Sequence, residues 1–121
     1  MVFAFTAAIA SFRLIPLPKP WVKSIHALCH TLAIICIICG LVCVFLSNND
    51  ENKNDEGIYY SNLYSLHSFI GLATIILYFQ NYILGIFHFL SSITLVPAEK
   101  RKFYLPIHVC LGVVSFILAI I

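Results

Sequence analysis

Apolar and polar positions in this chain are segregated into long blocks. Ile25–Leu46, Ser65–Leu90 and Phe103–Ile121 contain no Asp, Glu, Lys or Arg, and the charged residues gather in short stretches beside them. A helix needs about 20 predominantly apolar residues to cross roughly 30 Å of hydrocarbon, so each block predicts one membrane-spanning helix. The opening run Met1–Phe12 is apolar too, but it is too short to cross and Arg13 closes it; it predicts half a helix. The fold class expected is all-α: a multi-pass transmembrane helical bundle of three full spans and a partial N-terminal helix, forming a single domain over residues 1–121.

Composition sharpens this picture. Of 121 residues, 61% are hydrophobic and 10% charged, a membrane composition. The opening run does not read as a secretory signal, because no basic region precedes it and Arg13-Leu-Ile-Pro-Leu-Pro-Lys-Pro follows in place of a small-residue cleavage site. The last span stops at Ile121 without the Trp, Tyr, Lys or Arg anchors that usually finish one, so further sequence is expected at both ends. No internal repeat is visible, and no basic patch suited to nucleic acid.

Sidedness follows from Lys and Arg in the short loops. Arg13, Lys19 and Lys23 precede the first full span, and Lys100, Arg101 and Lys102 precede the third, whereas the intervening polar loop carries only Lys53. Loops 13–23 and 95–104 are therefore expected in the cytosol. Loop 47–64, with Asp50, Glu51, Asp55 and Glu56, is expected outside the cell or in a lumen, where it reads first as a solvated linker. All five cysteines (Cys29, Cys36, Cys39, Cys43 and Cys110) fall inside predicted spans. There they serve as small apolar side chains, and their odd number argues against a disulfide framework.

Histidine carries the chemical signal, since an ionisable group inside a span is costly and marks function. His26 begins the first full span and His108 the third. Both enter from the same face, so they lie at matched depth and can meet across the bundle. Two imidazoles on facing helices fill both axial positions of a b-type haem, which favours electron transfer over oxygen binding. His67 begins the middle span, which runs the other way, so it lies near the opposite face and needs another partner. His30, one turn after His26 on the same face, is expected to support that site or touch a haem propionate. His88 is expected at the interface with no haem role. Lys19, Lys23 and His26, spaced by four and three, share one side of a helix that begins near Lys19, with Pro20 tolerated in its first turn. The three basic residues read first as topology signals and lipid contacts; beside a haem they form a cationic pocket for an anionic reductant.

Three runs then resemble landmarks of the cytochrome b561 family, in the family's order: Lys23-Ser-Ile-His-Ala, Asn62-Leu-Tyr-Ser-Leu-His-Ser-Phe-Ile-Gly-Leu and Leu105-Pro-Ile-His-Val. The resemblance implies part of a six-helix fold. It places the chain from the end of the second helix through most of the fifth, with the first helix, the outer half of the second and the sixth outside this sequence. It implies two haems b in the whole family fold, with one complete ligand pair here: His26 and His108 as axial ligands of the cytosolic haem iron, and His67 as one ligand of the outer haem. It further implies ascorbate bound by Arg13, Lys19 and Lys23, an acceptor that is ferric iron or monodehydroascorbate, a lipid membrane and a homodimer. The function so implied is that of an ascorbate-dependent transmembrane oxidoreductase of the ferric reductase type. Asn62 and Tyr64 stand beside His67 and read as lining the outer haem pocket or an acceptor site. Two rivals come from other classes: a haem-bearing anchor subunit of a respiratory complex, and a non-catalytic helical scaffold in which histidines only bridge helices.

Overall fold

The computed structural model describes residues 2–50, 63–90 and 96–121, apart from the side chains of residues 4, 13, 49 and 50. Four helices follow in order: α1 Val2–Leu14, α2 Lys19–Asp50, α3 Leu66–Gly85, and α4 Ala98–Ile120. One π-helical turn, Ile86–Leu90, extends α3. Among the described residues there is no strand. Three of the helices are long and apolar enough to cross a membrane, over Lys19–Asn48, Leu66–Leu90 and Ala98–Ile120. The protein is an integral membrane protein. Outward-facing Leu28, Ile35, Val42, Phe79 and Ile117 give the bundle an apolar surface, for which lipid replaces water as solvent.

Local sequence explains the helix ends. Pro16 and Pro18 disfavour helical geometry at the residues before them, and α1 closes as Ile15 N–H donates to the Ser11 carbonyl at 3.3 Å. The Pro18 carbonyl then accepts from Trp21 N–H at 3.0 Å and Val22 N–H at 3.3 Å, opening α2. Pro20 sits in that first turn, where a missing N–H costs nothing. Ser65 caps α3, its hydroxyl accepting from Ser68 N–H at 3.2 Å. Replacing Ser65 with alanine is expected to lower stability by about 1 kcal/mol, read as an earlier midpoint in SDS titration of the protein in mixed micelles. An unchanged midpoint means the cap contributes nothing.

The elements run past the predicted spans at the basic end. α2 starts at Lys19, as the spacing of Lys19, Lys23 and His26 predicts, six residues before the apolar block, and α4 starts at Ala98 rather than Phe103, because helical geometry continues through the charged interface after apolar composition stops. Pro106 lies inside α4, where it removes the hydrogen bond to the Lys102 carbonyl.

The helices pack antiparallel in sequence order. α1 lies chiefly on α2, and α3 on α4. Phe5, Ala33, Ile37 and Tyr78 form the core, with Ile34, Leu41, Ile75 and Phe116 against it. Phe5 is 1% exposed and stacks on three helices at once: His30 at 5.3 Å between centroids, Tyr78 at 4.9 Å and Phe116 at 5.4 Å. Hydrogen bonds tie α2 to α3, Thr31 pairing with the Tyr82 hydroxyl at 2.7 Å. The cysteines depart from their expected packing role. All five are free thiols; Cys29 is partly buried and the other four lie exposed on the outside of the bundle. The acidic stretch 51–62, which includes Asn62, and residues 91–95 lie outside the described residues.

Candidate functional site

All four helices line one cavity of about 360 Å³. His26 and His30 enter it from α2, and His108 from α4. The rings of His26 and His108 meet edge to face, with centroids 6.5 Å apart and planes at 70°. A metal–imidazole bond is about 2 Å long, so two rings sharing one metal have centroids on the order of 6 Å apart; the observed spacing matches.

Hydrogen bonding decides what His26 offers. Its Nδ1 lies 2.7 Å from the carbonyl of Ala8 on α1. A carbonyl can only accept, so Nδ1 carries the proton and the lone pair is left on Nε2. A ring N–H donated to a backbone carbonyl is the usual support of a metal-bound histidine. Phe12 packs edge-on to the same ring at 4.9 Å. His30 is 4.4 Å from His26, edge-to-face, and is pinned differently. Its Nδ1 pairs with the Tyr78 hydroxyl at 2.6 Å, and that hydroxyl also faces the His30 carbonyl at 3.5 Å. A hydroxyl both donates and accepts, so either His30 tautomer satisfies this pair.

Gly85 makes room for His108. A Cβ at this position would stand 2.9 Å from His108 Cε1, closer than side chains tolerate, so α3 and the imidazole can approach only because residue 85 has no side chain.

The other predicted residues fall in different places. Lys23 lines the cavity beside His26, while Lys19 is exposed one turn away. Arg13 belongs to α1, with its side chain outside the described set. His67 is exposed in the first turn of α3, 18 residues before Gly85, or about 27 Å along the helix at 1.5 Å per residue; it cannot reach the cavity. Tyr64 is exposed beside it. His88 donates to the Leu84 carbonyl at 2.9 Å and stacks on Tyr104 at 4.3 Å, away from the cavity lining.

Sequence reasoning missed four contributors. Ala8 acts through its backbone, which no residue type announces. Tyr78, Asn81 and Gly85 line the cavity; the signal that might have found Asn81 is an uncharged polar residue amid an apolar span, and for Gly85 a small residue where α3 meets α4.

The sequence profile of eukaryotic cytochrome b561 matches residues 1–121. The chain belongs to the cytochrome b561 family. Among curated relatives, the plasma membrane ascorbate-dependent reductase of Mus musculus is 36% identical over 121 residues, covering 95% of this chain and 38% of the relative. The transmembrane ascorbate ferrireductase 1 of Arabidopsis thaliana is 36% identical over 115 residues, covering 93% and 44%. A lysosomal membrane ascorbate-dependent ferrireductase of Mus musculus is 32% identical over 121 residues, covering 93% and 44%. The chain thus spans about two fifths of the length of these relatives.

Cytochrome b561 proteins bind haem, and the cavity suits one. Its walls are largely apolar, two imidazoles oppose each other across it, and Gly85 lets α3 close on the His108 ring. Among the described residues no three His, Cys, Asp or Glu side chains gather to hold a bare metal ion.

Proposed function

We propose that this chain forms the ascorbate-oxidising part of a transmembrane electron carrier. The activity is electron transfer from cytosolic ascorbate, at the basic end of the bundle, to an acceptor on the opposite side, ferric iron or monodehydroascorbate. The observation that carries the reading is the opposed His26 and His108 pair in a cavity that Lys23 also lines. His26 and His108 would hold haem b, which would supply a one-electron couple.

The protein's own groups do the rest. His26 presents Nε2 because Ala8 holds its Nδ1 proton. His108 faces it from α4. Phe5, Phe12, Ile86 and Phe89 line the cavity and keep water from the rings, so that charge interactions there are strong. Lys23, with Lys19 one turn before it, sets a positive field at the cavity's basic end that gathers an anionic reductant, and Arg13 is proposed as the third basic residue for that reductant. His67, at the far end of α3, is the proposed ligand of a second haem. The basic loops 13–23 and 95–104 face the cytosol, loop 47–64 faces outward, and the working unit is a homodimer.

The test is the visible spectrum and haem content of the purified full chain before and after ascorbate. A low-spin b-type spectrum, reduced by ascorbate, is expected; a chain that takes up no haem when expressed with haem supply sinks the proposal. Lys19→Ala/Lys23→Ala is expected to slow reduction by sub-saturating ascorbate about tenfold, to recover at saturation, and to leave reduction by an uncharged reductant unchanged. Equal ascorbate rates in parent and variant would show that these lysines serve only topology.

A further inference from the structure

Two buried polar atoms of cavity-lining residues lack hydrogen-bond partners: Oδ1 of Asn81 on α3 and Nδ1 of His108 on α4. Asn81 is 7% exposed. Buried polar groups in native proteins are almost always paired, so each of these atoms marks a place for a partner.

Reciprocal packing brings the two together. A Cβ on Gly112 would lie 3.4 Å from Asn81 Nδ2, and one on Gly85 would lie 2.9 Å from His108 Cε1. Asn81 and Gly85 are four residues apart on one helix, and His108 and Gly112 four apart on its antiparallel neighbour. Each large side chain therefore rests against the other helix's glycine, and the carboxamide and imidazole are stacked about one helical turn, ~5.4 Å, apart. The two unpartnered atoms, Nδ1 and Oδ1, thus belong to side chains packed within about a turn of each other on facing helices. A buried water makes about two to four hydrogen bonds, so one water between Nδ1 and Oδ1 satisfies both.

We propose that Asn81 is the positioning residue of His108. Its Oδ1, through one bridging water, takes up the hydrogen bond donated by His108 Nδ1–H and so holds the lone pair on Nε2, toward the His26 ring. This rests on the haem reading above. His26 takes its acceptor from the Ala8 carbonyl, which no substitution removes. On His108 the same task falls to a side chain, so this side of the site is adjustable by sequence. A hydrogen-bond acceptor on Nδ1–H makes an imidazole a more basic ligand, which favours ferric over ferrous iron. A neutral carboxamide gives a moderate effect without burying a charge.

Redox titration of the haem-loaded full chain in lipid nanodiscs, beside Asn81→Leu and Asn81→Asp, tests this. Leucine keeps the bulk and removes the acceptor; aspartate keeps the shape and strengthens it. Asn81→Leu is expected to shift the ferric-over-ferrous preference about tenfold towards ferrous, an upward move of ~59 mV for a one-electron couple, while Asn81→Asp stays at or below the parent. A packing defect has no reason to separate the two variants in this way. Asn81→Ala, which also lacks the acceptor, replaces the leucine variant if that one fails to fold, with the same upward shift expected. No upward shift on losing the acceptor, or an upward shift shared by aspartate, overturns the inference. A parent that holds haem, and loses it in His108→Ala, while the Asn81 variants leave its potential unmoved overturns this inference alone; a parent without haem overturns the haem reading with it.

Discussion

His26→Ala or His108→Ala in the full chain is expected to abolish the low-spin b-type spectrum, reducing haem bound at this site to background. Each substitution removes one of two imidazoles whose centroids stand 6.5 Å apart across the cavity, and among the described residues no third side chain completes a metal site. The nearest rescuer is His30, 4.4 Å from His26. It is pinned to Tyr78 at 2.6 Å, and its ring is wedged against Phe5, so it cannot swing into the vacated place without breaking both contacts. His30→Ala should accordingly keep the haem. A spectrum that survives His26→Ala but vanishes in His26→Ala/His30→Ala would transfer the ligand role to His30.

Gly85→Val should cost the site far more than it costs the fold. A Cβ at residue 85 already stands 2.9 Å from His108 Cε1, and valine's branches extend further. The obstructing atoms belong to the end of a side chain, so the ring can rotate away while α3 and α4 stay packed. That rotation takes His108 out of line with His26. Losing the support of a metal ligand typically reduces affinity 10–100-fold, and haem retention is expected to fall by about that factor, with helicity by circular dichroism unchanged. Gly85→Ala should lie between parent and valine. Full haem occupancy in Gly85→Val would show that the imidazole does not need this groove.

Depth along the membrane was legible from residue positions. His26 and His108 each follow a basic stretch into a span, and His67 begins the span that runs back, so the structure places the first two together and the third about 27 Å away by helix rise. The charge pattern likewise marked the basic end: Lys23 lines the same cavity as His26. The cysteines show where composition misleads. An apolar thiol in a span can face the protein or the lipid at little difference in cost, because both are apolar; Cys36, Cys39, Cys43 and Cys110 face outward.

The sequence by itself determined the number of spans, the family, and which histidines share a level, since these follow from the length of apolar runs against a fixed hydrocarbon thickness and from order along the chain. Only the tertiary structure decided how the rings are used. The Ala8 carbonyl behind His26, the Tyr78 hydroxyl on His30, the Asn81 carboxamide against Gly112 and the groove that Gly85 leaves for His108 all come from neighbouring helices. Such contacts depend on how each helix is rotated about its axis. That rotation is set by side-chain packing across the bundle, and in nearly uniform apolar segments no one-dimensional pattern encodes it.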